Sequence, residues 1–73
     1  MGGKYEVMAH NYGLELYKEF ILVDKELGDV YRCKFTDYEL MIWDGEHWQF
    51  DHWHNILNRM LSGKMYVRKY RNQ

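Results

Sequence analysis

His47, His52 and His54 fall within eight residues of one another and sit among Asp44, Glu46 and Asp51. These are residue types that hold zinc. Their spacing opposes a shared ion. On a helix of 3.6 residues per turn, His52 and His54 point about 200° apart, whereas chelating pairs need i,i+3 or i,i+4. The sequence therefore predicts no metal and no cofactor. The histidines read as partly exposed groups at a hairpin end and a helix start.

Catalytic groups are as sparse. Ser62 and Thr36 are the single serine and the single threonine, and each stands where a cap or a turn is expected. A nucleophilic Cys33 would need an environment that favours the thiolate. Instead, Cys33 alternates with Tyr31 and Phe35 on an apolar face, which predicts a buried, inert thiol. Asp44 and Glu46 belong to an exposed turn, where nothing would drive their pKa values apart. There is no glycine-rich phosphate loop. The chain is expected not to be an enzyme.

Recognition is the chemistry that remains. Arg32 and Lys34 project from one predicted strand and Arg68 from another. Tyr31, Tyr38, Trp43, Trp48, Tyr66 and Tyr70 lie near them in sequence or in expected sheet order. Cations beside flat rings suit a nucleotide, because the cation meets phosphate while the ring stacks on the base.

The elements that must position these groups are short. Residues 4–9 read as an edge strand, and Asn11-Tyr12-Gly13 as a turn. Between residues 14 and 27, Leu16, Phe20, Val23 and Leu27 recur at helical spacing, and Gly28 stands where a helix would end. Helix is preferred there, although Phe20-Ile21-Leu22-Val23 is also a good strand run. Tyr31 to Phe35 alternates as a strand. Tyr38 to Trp43 follows, and Asp44-Gly45 signals a two-residue type I′ hairpin returning through His47 to Phe50. That register sets Trp43 opposite Glu46. It puts Met41, Trp43, Trp48 and Phe50 on one face, and Tyr38, Leu40 and Ile42 on the other. Both faces are apolar, so one must meet a helix, a ligand or another subunit. Asp51 is a helix N-cap, with Trp53, Ile56, Leu57, Met60 and Leu61 as an apolar stripe. Ser62-Gly63 ends the helix, and Met65 to Tyr70 forms a last strand. The expected fold is a single α+β domain over residues 1–73. It has a small, mainly antiparallel sheet of four or five strands around a central Asp-Gly hairpin, packed by one or two helices.

Composition bounds the setting. Aromatic residues are 18% of the 73, so rings must supply most of a thin core. One cysteine allows no intrachain disulfide, which points to a reducing, cytoplasmic setting. No segment is long and apolar enough to span a membrane, and the start lacks a signal-peptide stretch. The net charge of −1 argues against non-specific nucleic-acid binding. It averages an acidic stretch at 35–58 and a basic one at 62–73, expected to neutralise each other within a chain or across a dimer.

The run Gly28-Asp29-Val30-Tyr31-Arg32-Cys33-Lys34-Phe35, with a hairpin after it, resembles the opening of a family of small phage proteins, the Thoeris anti-defence-two-like domains. Met60-Leu61-Ser62-Gly63-Lys64-Met65-Tyr66-Val67 is similar to that family's closing helix turn and strand. The likeness covers residues 14–70. It departs from the family at Phe35, where Trp is usual, in a shorter gap after Gly28 and in an added helix at 52–62. The resemblance implies a homo-oligomeric sponge in an infected or lysogenic bacterial host. Such a sponge binds cyclic ADP-ribose-like immune signals between subunits, and Arg32 and Phe35 stand at the matching positions.

The leading expectation is thus a non-enzymatic, phage-type accessory protein that sequesters a small anionic nucleotide at a subunit interface. Its ligand residues are Arg32, Lys34, Phe35, Tyr38, Trp43, Trp48, Arg68 and Tyr70. The rival is an inhibitor that docks on a host or defence protein, in the manner of an anti-CRISPR, through its acidic, Trp-rich hairpin.

Overall fold

The computed structural model describes residues 3–69. Its elements are α1 (Lys4–Asn11), β1 (Phe20–Asp24), β2 (Val30–Phe35), β3 (Leu40–Trp43), β4 (Trp48–Phe50), a 3-10 turn (His52–His54), α2 (Asn55–Leu61) and β5 (Met65–Lys69). The strands form one sheet in the order β4-β3-β2-β1-β5. Every neighbouring pair is antiparallel. The chain makes three consecutive hairpins, passes through α2, and returns to lay β5 along the free side of β1. The result is α+β, with a five-stranded antiparallel sheet and two helices.

Residues 4–9 are helical rather than an edge strand. The reason is legible in their spacing. Tyr5 and Ala9 are buried, with Met8 and Tyr12 packed beside them, which is the i, i+3, i+4, i+7 stripe of a helix. Gly13, at φ 73°, ends α1. Its N–H bonds the His10 carbonyl at 2.9 Å, and the Leu14 N–H bonds the Ala9 carbonyl at 2.8 Å, the paired closure of a Schellman motif.

The helix expected at 14–27 is also replaced. Tyr17 adopts φ 66°, which no continuous helix allows. Phe20–Asp24 is instead the strand between β2 and β5, bonded on both sides. Phe20 and Leu22 are fully buried, whereas Leu27, a member of the supposed stripe, is 68% exposed. Pairing with two neighbours outweighs the accidental helical spacing.

The β3–β4 connection is not a two-residue turn. Trp43 pairs with Trp48, and Met41 with Phe50, so four residues form the loop. A type I′ turn needs positive φ at both central residues; Gly45 has it, at 104°, and Asp44 does not. Asp44 Oδ1 instead accepts the N–H groups of Glu46 and His47, each at 2.7 Å. The register moves by two, so every side chain keeps its predicted face.

Both helices pack on one face. Phe20, Leu22, Cys33, Phe35, Leu40 and Met65 meet Tyr5 and Ala9 of α1 and Ile56, Leu57 and Met60 of α2 in one core. Phe20 and Phe35 stack there, with ring centroids 5.6 Å apart. Two buried carboxylates tie the layers together. Asp51 accepts Ile56 N–H at 2.9 Å and Leu57 N–H at 2.7 Å, capping α2 across the intervening turn. Asp24 accepts Glu26 and Leu27 N–H at 2.9 Å each, and Arg59 Nε at 2.8 Å. The Leu27 N–H and then the Glu26 N–H and Arg59 hold the Asp24 carboxyl below its ordinary value, against the effect of burial. Trp53 does not join the α2 stripe; it is 93% exposed.

Among the described residues, the acidic hairpin and the basic end lie apart. β4 and β5 are the opposite edges of the sheet.

Candidate functional site

Among the described residues, no helix packs on the second face of the sheet. Its side chains follow from the register. Ile21 lies between Arg32 of β2 and Arg68 of β5. Continuing the β2–β3 ladder, which pairs Lys34 with Met41, sets Arg32 beside Trp43, and Trp43 pairs with Trp48. One row therefore crosses all five strands in the order Arg68, Ile21, Arg32, Trp43, Trp48. A second row runs Lys34, Met41, Phe50. A third holds Tyr66, Val23 and Val30. No strand position on this face is acidic.

The cations are held against the rings. The Arg32 guanidinium carbon lies 5.2 Å from the Trp43 ring centroid and 5.9 Å from that of Trp48. Lys34 Nζ lies 4.3 Å from the Trp48 centroid. The two indoles meet edge to face at 5.4 Å. Positive charge over an indole face is favourable by about 0.5–1 kcal/mol at exposed sites, so the rings bias where the cations rest. Arg32 Nε also donates to Glu19 at 2.6 Å. Both side chains of that pair stay partly exposed, at 42% and 34%. Exposed ion pairs contribute only about 0–1 kcal/mol, so this pair is a weak one. Lys34 and Arg68 make no ion pair among the described residues.

The structure thus gathers four of the predicted ligand residues, Arg32, Lys34, Trp43 and Trp48, into one contiguous group. Arg68 shares their row from the far edge. Phe35 is on the opposite face, fully buried in the core, because it alternates with Lys34 along β2. Tyr38 is 81% exposed on the β2–β3 turn, off the strand rows. Tyr70 lies outside the described residues. Sequence reasoning missed Phe50, which is 56% exposed on this face, and Glu19. The hairpin alternation already put Phe50 beside the tryptophans. Glu19 became visible only once residues 20–24 formed a strand.

Cys33 is fully buried on the core face. Burial, with a lesser contribution from the Asp51 charge, pushes its thiol up to about 12, which leaves no thiolate for chemistry at neutral pH. Among the described residues no group of three or more His, Cys, Asp or Glu side chains converges as a metal site would require. No helix among them is long and apolar enough to cross a membrane. No family model, curated protein or solved structure matches the chain.

Proposed function

We propose that the open sheet face binds a small anionic nucleotide and that the chain is a non-enzymatic sequestering protein. One observation carries this reading: Arg32 and Lys34 are stacked on Trp43 and Trp48 on an uncovered face whose strand positions hold no acid. Phosphate would take the guanidinium and ammonium groups, and the base would stack on the neighbouring exposed aromatic surface, Phe50 included.

A flat sheet covers only one side of such a ligand, so the other side falls to a second copy. Without a ligand, a two-fold pair on this face would set cations against cations, because each patch meets its own copy. An anion held between them would relieve that repulsion. The ligand class suggested by the resemblance, cyclic ADP-ribose-like or cyclic nucleotide immune signals, sets the first compounds to test. In isothermal titration against cyclic mononucleotides and cyclic ADP-ribose isomers, at least one should bind, and Arg32→Ala should weaken it about ten-fold, as expected for loss of a charge-assisted contact. No heat with any member would end the reading.

A role in docking on a host or defence protein has one observation in its favour. Trp53, with His52 and His54 beside it, stands out from the α2 entry at 93% exposure, and exposed Trp commonly anchors interfaces. The acidic loop adds less, because the Asp44 carboxylate is already engaged by Glu46, His47 and Gln49. A stoichiometric protein partner lost in Trp53→Ala but retained in Arg32→Ala would favour docking.

A further inference from the structure

We infer that the open face accepts a short single strand of nucleic acid, of which the nucleotide site is one step; this rests on the proposed reading of that face. The central row, from Arg68 through Ile21, Arg32 and Trp43 to Trp48, crosses every strand. At strand spacings of about 4.8 Å it is about 19 Å long. A single mononucleotide engages the Arg32, Lys34 and tryptophan end and leaves Arg68 unused, about 10 Å away across β1. A ligand that uses the whole row needs several phosphates and more than one base. Sheet platforms of this size stack two or three bases on their aromatics.

Charge favours this occupant over a peptide or a second copy. The overall charge of −1 is an average over surfaces of different sign. On this face the strand positions contribute Arg32, Lys34 and Arg68 and no carboxylate. In the β3–β4 loop, Asp44 turns its carboxylate into its own backbone, where the N–H groups of His47 and then Glu46 hold it below its ordinary value; Glu39, just before β3, borders the Lys34 end of the face rather than the central row. Glu19 faces Arg32, an exposed pair that a phosphate replaces at low cost. The other row members, among them Ile21, Met41 and Phe50, are apolar and offer an acidic peptide no donors, whereas the flat faces of bases can lie on them.

The test is titration of the whole protein with oligouridylates of one, two, four and eight nucleotides at several salt concentrations, repeated with Arg68→Ala. The tetranucleotide should bind at least about ten-fold more tightly than the mononucleotide, and the octanucleotide should add little per site. With two to three phosphates neutralised, log K should fall with log salt at a slope of about −1.4 to −2.1. Arg68→Ala, at an exposed position, should cut tetranucleotide affinity about three- to ten-fold, the loss expected for one phosphate contact. A tetranucleotide no tighter than the mononucleotide overturns the inference and leaves the small-ligand reading standing. So does an unchanged tetranucleotide affinity in Arg68→Ala, or a hexaglutamate peptide that competes equally well. Binding of neither nucleotide nor strand overturns both.

Discussion

Cys33 and Phe35 lie one residue either side of Lys34, yet they belong to a different world from it. Their side chains are fully buried among the helices, whereas Lys34 stands over an indole. Two predictions separate the faces. The Cys33 thiol, raised to about 12, should ignore a neutral-pH thiol reagent in the native protein and react fully once the chain unfolds. Phe35→Ala should cost about 3–5 kcal/mol in chemical denaturation, enough to threaten folding of a domain this small. A loss confined to ligand affinity, with stability intact, would put Phe35 in a binding role instead. Trp53 is the opposite case. It and His54 hold φ values of 60° and 51°, a conformation that costs an L-residue roughly 1–2 kcal/mol. Since Trp53 buries almost nothing, Trp53→Gly should raise stability by about 0.5–1 kcal/mol after the entropy of glycine is counted.

At the scale of elements, the Asp51 carboxylate is the joint between the hairpin and α2. It satisfies two helix N–H groups from five and six residues upstream. Asp51→Ala should cost about 1–2 kcal/mol and should speed amide exchange at Ile56 and Leu57 before it does so in the sheet. The strands β2 to β5 and helix α2 were readable because alternation and the stripe Ile56, Leu57, Met60 agree with local propensity. The first third was not. The stripe of α1 begins at Tyr5 and closes only at Tyr12, so residues 4–9 alone hold too little of it to outweigh a strand pattern. In β1 two patterns compete, and partners far along the chain decide between them: Leu22 pairs with both Tyr31 and Val67. The hairpin misled differently. Asp44-Gly45 satisfies a type I′ rule in composition, but the Asp44 side chain prefers to cap its own loop. The faces survived that error because the shift was even. The candidate site was therefore legible as Arg32, Lys34, Trp43 and Trp48, with Phe50 set beside them by the hairpin alternation, while its internal anion, Glu19, needed the strand at residues 20–24.

At the scale of the whole molecule, Asp24 links the β1 end, the turn after it and α2 through Arg59. Its pKa in the folded protein lies below the ordinary 3.8. Its contribution is thus fully present above that value and is lost as the pH falls through the lower folded value. Acid titration of the melting temperature should show this loss below about pH 4. Asp24→Asn should start less stable and lose the acid-dependent component; an unchanged acid profile in that variant would assign the transition to other carboxylates. The edge-to-face contact of Trp43 and Trp48 at 5.4 Å has an optical consequence. Two indoles so close couple their excited states, which gives the folded protein a circular-dichroism couplet that neither ring has alone. Trp53, 93% exposed, remains outside that pair and emits as a solvated indole. The molecule therefore carries two separate spectroscopic reporters, one on the open face and one at the α2 entry, and a change in either identifies which surface has been occupied.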